Sequence, residues 1–387
     1  MTIPSVFDDI RPYKPEEMSG IIDALHKDER FRTVVTQIMP GVPFESIIVK
    51  AHTCKTALDF QKIFLYPILQ ENMQQYTDGA DMDANSLDKN KNYTFVSNHR
   101  DIVLDSAYLS KLMLDCGFNN TVEIAIGDNL LVYPWIEHIV RLNKSFIVKR
   151  SLTIRQQFVA SKQLSDYIHF AISEKSENIW IAQREGRAKD SNDCTQLSIL
   201  KMMSLGGTGN ITEKLKQLHI VPLSISYEFD PCDFLKAKEL QQKRDNPDFH
   251  KTHEDDVISM RTGILGYKGH VHYQAAACID SWLDKLPSDK TKNELFPDIA
   301  THIDHEIHSH YRLYANNYIA YDRFTEGSRF DQLYTAHEKE RFDKYIADQI
   351  SKIDLPHADH DYLQHMLLTM YANPLINYLK AAETKEQ

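Results

Sequence analysis

Residues 93–108 read YTFVSNHRDIVLDSAY, and the rest of the chain is parsed outward from them. Tyr93 to Val96 is a β-branched and aromatic run of the kind that forms a buried strand. Ser97 and Asn98 break the apolar pattern, and polar His99, Arg100 and Asp101 follow together. From there Ile102, Val103, Ala107, Leu109 and Leu112 suggest a helix, with Asn98 or Asp101 as candidate N-cap. A strand that stops at a histidine, with a helix starting within a turn, sets the imidazole at the carboxyl end of a strand. Open α/β sheets place their ligands there. Asp105, one to two helical turns further on, is near enough to orient the ring. The pair suits a general base held in one tautomer by a carboxylate, taking a proton from an attacking hydroxyl. A helix cap or a turn hydrogen bond is the plainer use of the same histidine.

The 387 residues have room for one large domain with an accessory region, or for two domains. With 42% hydrophobic residues the chain can bury a core, and 44 basic against 55 acidic side chains leave a formal charge of −11. That balance argues against sequence-independent nucleic-acid binding, which needs a basic footprint. The five cysteines (Cys54, Cys116, Cys194, Cys232, Cys278) form no C-x-x-C pair, and the opening MTIPSVFDDIRPYKPEE lacks a basic-then-apolar signal. Both features point to reduced thiols in a cytosol. No run reaches the roughly 18 apolar residues of a membrane-spanning helix. The expectation is a cytoplasmic protein, at most peripheral at the inner face of a membrane. The amphipathic stretch Asn129–Leu142 could dock on a bilayer, although core packing is the commoner fate of such a helix.

Taken in order, residues 1–92 read as a helical N-terminal region and linker. Met18–His26 and Ala57–Gln70 are its amphipathic segments, Pro40 and Pro43 separate them, and the polar stretch Thr77–Asn92 is the linker or exposed loop. Residues 93–285 alternate. Strand-like Thr121–Ile126, Ser145–Val148, Asn178–Ala182, His219–Tyr227 and Gly269–Tyr273 are interleaved with helix-like Asn129–Val140, Ile154–Ser173 and Asp233–Arg244. Residues 286–387 read as helical to the end. The fold class is therefore α/β, a mixed, mostly parallel sheet flanked by helices, with helical N- and C-terminal regions.

Polar clusters close three of these strands: His99-Arg100-Asp101, Lys149-Arg150-Ser151 and Arg184-Glu185-Gly186-Arg187. If the strands lie side by side, the clusters share one face and put a base between two sets of cations. Arginine binds phosphate bidentately, so this arrangement suits a hydroxyl nucleophile attached to a phosphate. Gly186 would let the backbone approach a ligand closely. A solvated strand end is the plain alternative for each cluster taken singly, and their repetition is the informative part.

The order of these blocks resembles the glycerolipid acyltransferase family, the glycerol-3-phosphate and lysophosphatidic acid acyltransferases. The family's N-H-x4-D block is similar to Asn98-His99 with Asp105, and its F-I-x-R stretch to Phe146–Ser151. Its E-G-x-R block is similar to Glu185-Gly186-Arg187, and its V-P-[LV] strand to Ile220–Tyr227. A late G-x-V-x-V strand has a counterpart in Gly269–Tyr273. The likeness covers about residues 93–275, and the His-Arg opening and Ser-Tyr-Glu ending lie nearer the glycerol-3-phosphate branch. Two departures stand out. Five residues separate His99 from Asp105 where the family has four, so either the turn bulges or Asp101 orients the ring; Asp105 is favoured. In the third block the proline that often precedes Glu185 is Arg184, and the Gly-to-Arg spacing is shorter.

The resemblance implies an O-acyltransferase of phospholipid biosynthesis. Its donor would be acyl-CoA or acyl carrier protein, and its acceptor a phosphorylated glycerol or lysophospholipid. His99 would be the general base and Asp105 its orienting carboxylate. Arg100, Lys149, Arg150, Glu185, Gly186 and Arg187 would contact substrate, with the acceptor's phosphate among Lys149, Arg150 and Arg187. No metal and no bound cofactor enters that mechanism. The competing class is a non-catalytic lipid- or partner-binding protein that keeps the fold.

Other features attract weaker readings. His302, His305, His308 and His310 invite a metal, but no cysteine or carboxylate stands at zinc-site spacing, and a polar helix face is the simpler reading. Gly206–Asn210 lacks the spacing and lysine of a phosphate-binding loop, and no G-x-S-x-G occurs.

Overall fold

The computed structural model describes residues 2–39, 41–150 and 152–384; Pro40 and Ser151, both singled out in the sequence, lie outside the described residues. Tyr93–Val96 leads into strand β2 (Thr94–Ser97), every residue of which is buried. Around it stand β1 (Gly79–Asp83), β3 (Val122–Gly127), β4 (Ser145–Val148), β5 (Asn178–Ala182), β6 (Ile220–Tyr227) and β7 (His270–Ala275). They form one sheet in the order β1-β7-β6-β2-β5-β3-β4. Every pairing is parallel except β6 with β7. The chain leaves β2 toward β3 and β4, returns through β5, and then crosses to build β6 and β7 on the other side. β2 is thus the switch point, and its carboxyl end opens between β5 and β6.

Strand alternation splits the core into two layers. Val96, Ile179 and Ile181 face one side, where helices Ile154–Ser173 and Lys292–Ser309 cover them through Tyr167, Ile168, Ile299, Ile303 and Ile307. Phe95, Trp180 and Val221 face the other, against Tyr108, Leu109 and Leu112 of helix Leu104–Asp115. Two satellite cores lie outside the sheet. Met18, Ile22, Phe31 and Ile48 pack together with Leu142, while Ile319, Phe342, Leu367 and Tyr371 pack with Phe229 and Ala237. The α/β class holds: a mixed, mostly parallel sheet flanked by helices, with helical segments at both ends of the chain.

Several local expectations are corrected. Thr77–Asn92 is not only a loop, because Gly79–Asp83 pairs in parallel with β7 as the sheet edge. Its acidic composition hid it; an edge strand pairs on one side and carries charge on its open rim. The helix expected over Asn129–Val140 instead runs Pro134–Leu142, after a 3-10 turn at Asp128–Leu130. Proline at the first helical position, where no N–H bond is lost, marks its start. Helices Leu197–Met203, Ile211–Lys216 and His253–Leu265 were not anticipated.

Candidate active site

The segment after β2 is fixed first by Asn98. Its side-chain amide donates to the Ile225 carbonyl at 2.9 Å, and its oxygen accepts the Ile225 N–H at 2.8 Å, stitching the turn onto β6. Ser97 Oγ donates to the Asn98 carbonyl and accepts the Trp180 indole N–H at 3.0 Å. The polar break that ends the apolar run is therefore fully used.

His99 then projects from the carboxyl end of β2, its side chain 13% exposed. Its ring meets Trp180 edge-on, centroids 5.6 Å apart. Nδ1 lies 2.8 Å from Asp105 Oδ2, and the same oxygen accepts the N–H groups of Arg100 (2.6 Å) and Asp101 (3.1 Å). Three donors on one fully buried oxygen hold the carboxylate in a single position, and an Asp105 so held assigns the Nδ1–H tautomer to His99. Nε2 is left as the basic nitrogen. Asp101 does different work: its Oδ1 accepts the N–H groups of Val103 (2.8 Å) and Leu104 (2.7 Å), closing the start of helix Leu104–Asp115. The extra residue between His99 and Asp105 is absorbed in this turn, and Asp105, not Asp101, is the carboxylate in contact with the ring.

The expected substrate contacts fare unevenly. Arg100 turns inward, its guanidinium paired with both oxygens of buried Asp193 at 3.0 and 2.6 Å, and the Tyr311 hydroxyl donates to the same carboxylate at 2.6 Å. It is engaged there and does not face an open site. Lys149 pairs with Asp9 of the N-terminal segment, which covers edge strand β4 through the Ile147 N–H bond to the Ile10 carbonyl. Arg150 reaches Glu185 at 3.3 Å, joining the ends of β4 and β5 across β3. Gly127 makes room for it, since a Cβ there would lie 2.7 Å from Arg150 Nε. Gly186 has φ +68°, a left-handed turn suited to glycine. Lys149, Arg150 and Arg187 share the expected end of the sheet but do not converge on one point.

Arg187 has other company. It is buried, with Nη1 lacking any hydrogen-bond partner. It lines a cavity of about 60 Å³ with Lys189, Lys236, Lys251 and Glu239. Lys236 Nζ donates to the Arg100 carbonyl at 3.2 Å, which ties one residue of the cavity lining to the backbone next to His99. Burial and the Arg187 guanidinium bring the Lys189 ammonium down to about 8, against the pull of Glu239 at 2.8 Å. Lysines 189, 236 and 251 were missed in the sequence. Lys189 follows Arg187 by two residues and was within reach of the motif; the other two arrive from distant segments. The four C-terminal histidines do not converge. His302 stacks on Trp282 at 4.0 Å, and His308 Nε2 donates to the Asp193 carbonyl at 2.9 Å.

Residues 70–226 match the family model described as Acyltransferase. This stretch, which carries His99, Asp105 and the first four blocks, is an acyltransferase domain, in agreement with the glycerolipid acyltransferase resemblance of the sequence. No curated protein matches the chain. Among solved structures, the 1-acyl-sn-glycerophosphate (LPA) acyltransferase PlsC from Thermotoga maritima is similar at 12% identity and a TM-score of 0.37. That likeness covers 75% of this chain and 91% of the other.

Proposed function

We propose that the protein transfers a fatty acyl group from a thioester, acyl-CoA or acyl carrier protein, to a hydroxyl of a phosphorylated glycerol acceptor, glycerol-3-phosphate or a lysophospholipid. The observation that carries this reading is the His99 Nδ1 to Asp105 Oδ2 contact of 2.8 Å at the carboxyl end of β2, inside the acyltransferase domain. His99 Nε2 takes the acceptor's hydroxyl proton as the oxygen attacks the thioester carbonyl. Asp105 stabilises the imidazolium so formed. The tetrahedral intermediate collapses by breaking the C–S bond, and the imidazolium proton passes to the departing thiolate. General-base assistance of this kind contributes typically ~10²–10⁴-fold. No step calls on a metal or bound cofactor.

For the acceptor's phosphate, the geometry favours the cavity of Arg187 and Lys189 over the original trio. Arg187 Nη1 is a buried donor without a partner, and a phosphate oxygen would satisfy it. The test is purified protein with labelled acyl donor and a panel of phosphorylated and unphosphorylated glycerols. Transfer restricted to phosphorylated acceptors supports the proposal. Absence of transfer with every donor would favour a non-catalytic binding protein.

A further inference from the structure

At the amino end of the sheet, opposite the His99 site, three side chains of different chemistry meet. His219 immediately precedes β6, and Cys278 and Asp280 belong to the turn that leaves β7. The Ile279 N–H bond to the Ile220 carbonyl (3.0 Å) fastens that turn to the start of β6. One ligand atom from each of His219, Cys278 and Asp280 lies within 4.8 Å of the others. His219 Nδ1 is 2.6 Å from Asp280 Oδ2, while Asp280 Oδ1 is buried and has no hydrogen-bond partner. His219 itself holds φ +46°, a conformation that costs energy for a residue with a side chain.

We propose that His219, Cys278 and Asp280 form a site for a divalent cation of borderline softness, zinc in preference to magnesium or calcium. An imidazole nitrogen, a thiolate and a carboxylate oxygen are the ligand types zinc takes, and magnesium and calcium select all-oxygen sets. Tetrahedral zinc holds such atoms roughly 3.4–3.7 Å apart. Separations bounded by 4.8 Å therefore need close by little more than about an ångström, and His219 Nδ1 with Asp280 Oδ2, now at 2.6 Å, would open to admit the ion. The unpartnered Asp280 oxygen gains a partner on binding, which is the unmet requirement the cluster presents. Burial, with Asp280 beside it, pushes the Cys278 thiol up to about 12, so uptake must release its proton to solvent. Lys91 also faces the thiol and favours its ionised form. A second cluster, Asp78, Glu228 and His270, carries no such proposal. Arg341 lies 4.0 Å from Asp78 and 3.7 Å from Glu228, and the Tyr267 hydroxyl donates to Asp78.

The site stands five residues of β6, roughly 17 Å of strand, from the level of Asn98 and His99, so the ion takes no part in acyl transfer. It would clamp the exit of β7 to the start of β6. The experiment is titration of the chelator-stripped full chain with Co²⁺, followed by Zn²⁺ competition and thermal melts. One Co²⁺ per chain with a thiolate-to-cobalt charge-transfer band, displaced by Zn²⁺, is expected. Cys278→Ser should lose the band while keeping the wild-type circular dichroism spectrum, and Asp280→Asn should weaken binding at least tenfold. Zinc should raise the Tm of wild type and not of Cys278→Ser. A titration without the band, a band retained in Cys278→Ser, or equal zinc effects on both melts would overturn the proposal.

Discussion

His99 and Asp101 sit two positions apart and answer to different partners. Asp105 receives the imidazole N–H together with two backbone N–H groups, whereas Asp101 spends its Oδ1 on Val103 and Leu104. His99→Ala should therefore leave a folded chain with acyl transfer reduced by about two to four orders of magnitude. Asp105→Asn should approach that loss, because the amide can present its N–H to Nδ1 and fix the wrong tautomer. Asp101→Asn, which keeps the capping oxygen, should keep most turnover, while Asp101→Ala should lower stability by about 1 kcal/mol in denaturant unfolding, the usual worth of a helix cap. The reverse ranking would move the orienting role to Asp101. Lys189 supplies a pH signature. With its ammonium brought down to about 8, it is charged below that pH and neutral above it. The KM for a phosphorylated acceptor should rise as pH passes upward through about 8, and Lys189→Met should abolish that inflection. Arg187→Ala should cost on the order of ten- to a hundredfold in kcat/KM, from a charge-assisted bond worth roughly 1.5–3 kcal/mol. An unphosphorylated acceptor should show no such loss.

The elements around the site were legible where local pattern and environment agree. Ser145–Val148, Ile154–Ser173 and Asn178–Ala182 fall where the sequence set them, because each is a run of one periodicity bounded by turn residues. What escaped was decided by distant partners. The edge strand Gly79–Asp83 exists because β7 is there to pair with it. Arg100 carries no sign in sequence that Asp193 awaits it 93 residues on. Helix His253–Leu265 does carry a local sign, the Thr252–Asp255 capping box, yet its docking hangs on Gly263. A Cβ at Gly263 would lie 1.8 Å from Asp101 Oδ2, and Asp101 is buried. Gly263→Ala should thus destabilise by about 1–3 kcal/mol as an overpacked contact. It should also lower kcat through the displaced turn, whereas Gly20→Ala, with open space at its Cβ, should do neither.

Across the whole molecule, the sheet gathers its chemistry at one end and leaves two helical cores at its flanks. The order of blocks in the sequence carried the fold class and the His99–Asp105 pair, since both depend on strand-to-helix transitions written locally. The cavity proposed for the phosphate was only half legible, because Lys236 enters from helix Asp233–Asp245 and Lys251 from the loop that follows it. No helix among the described residues is long and apolar enough to cross a membrane. Any membrane-bound fraction should accordingly be released by salt or alkaline carbonate, and a requirement for detergent would contradict a peripheral contact. Everything proposed for the catalytic end converges on one comparison: acyl transfer from a labelled thioester to glycerol-3-phosphate and to glycerol, by wild type and by His99→Ala. The expected result is product from wild type with the phosphorylated acceptor alone, and at least a hundredfold less from the variant. Equal product from wild type and His99→Ala would contradict the assignment of His99 as the base.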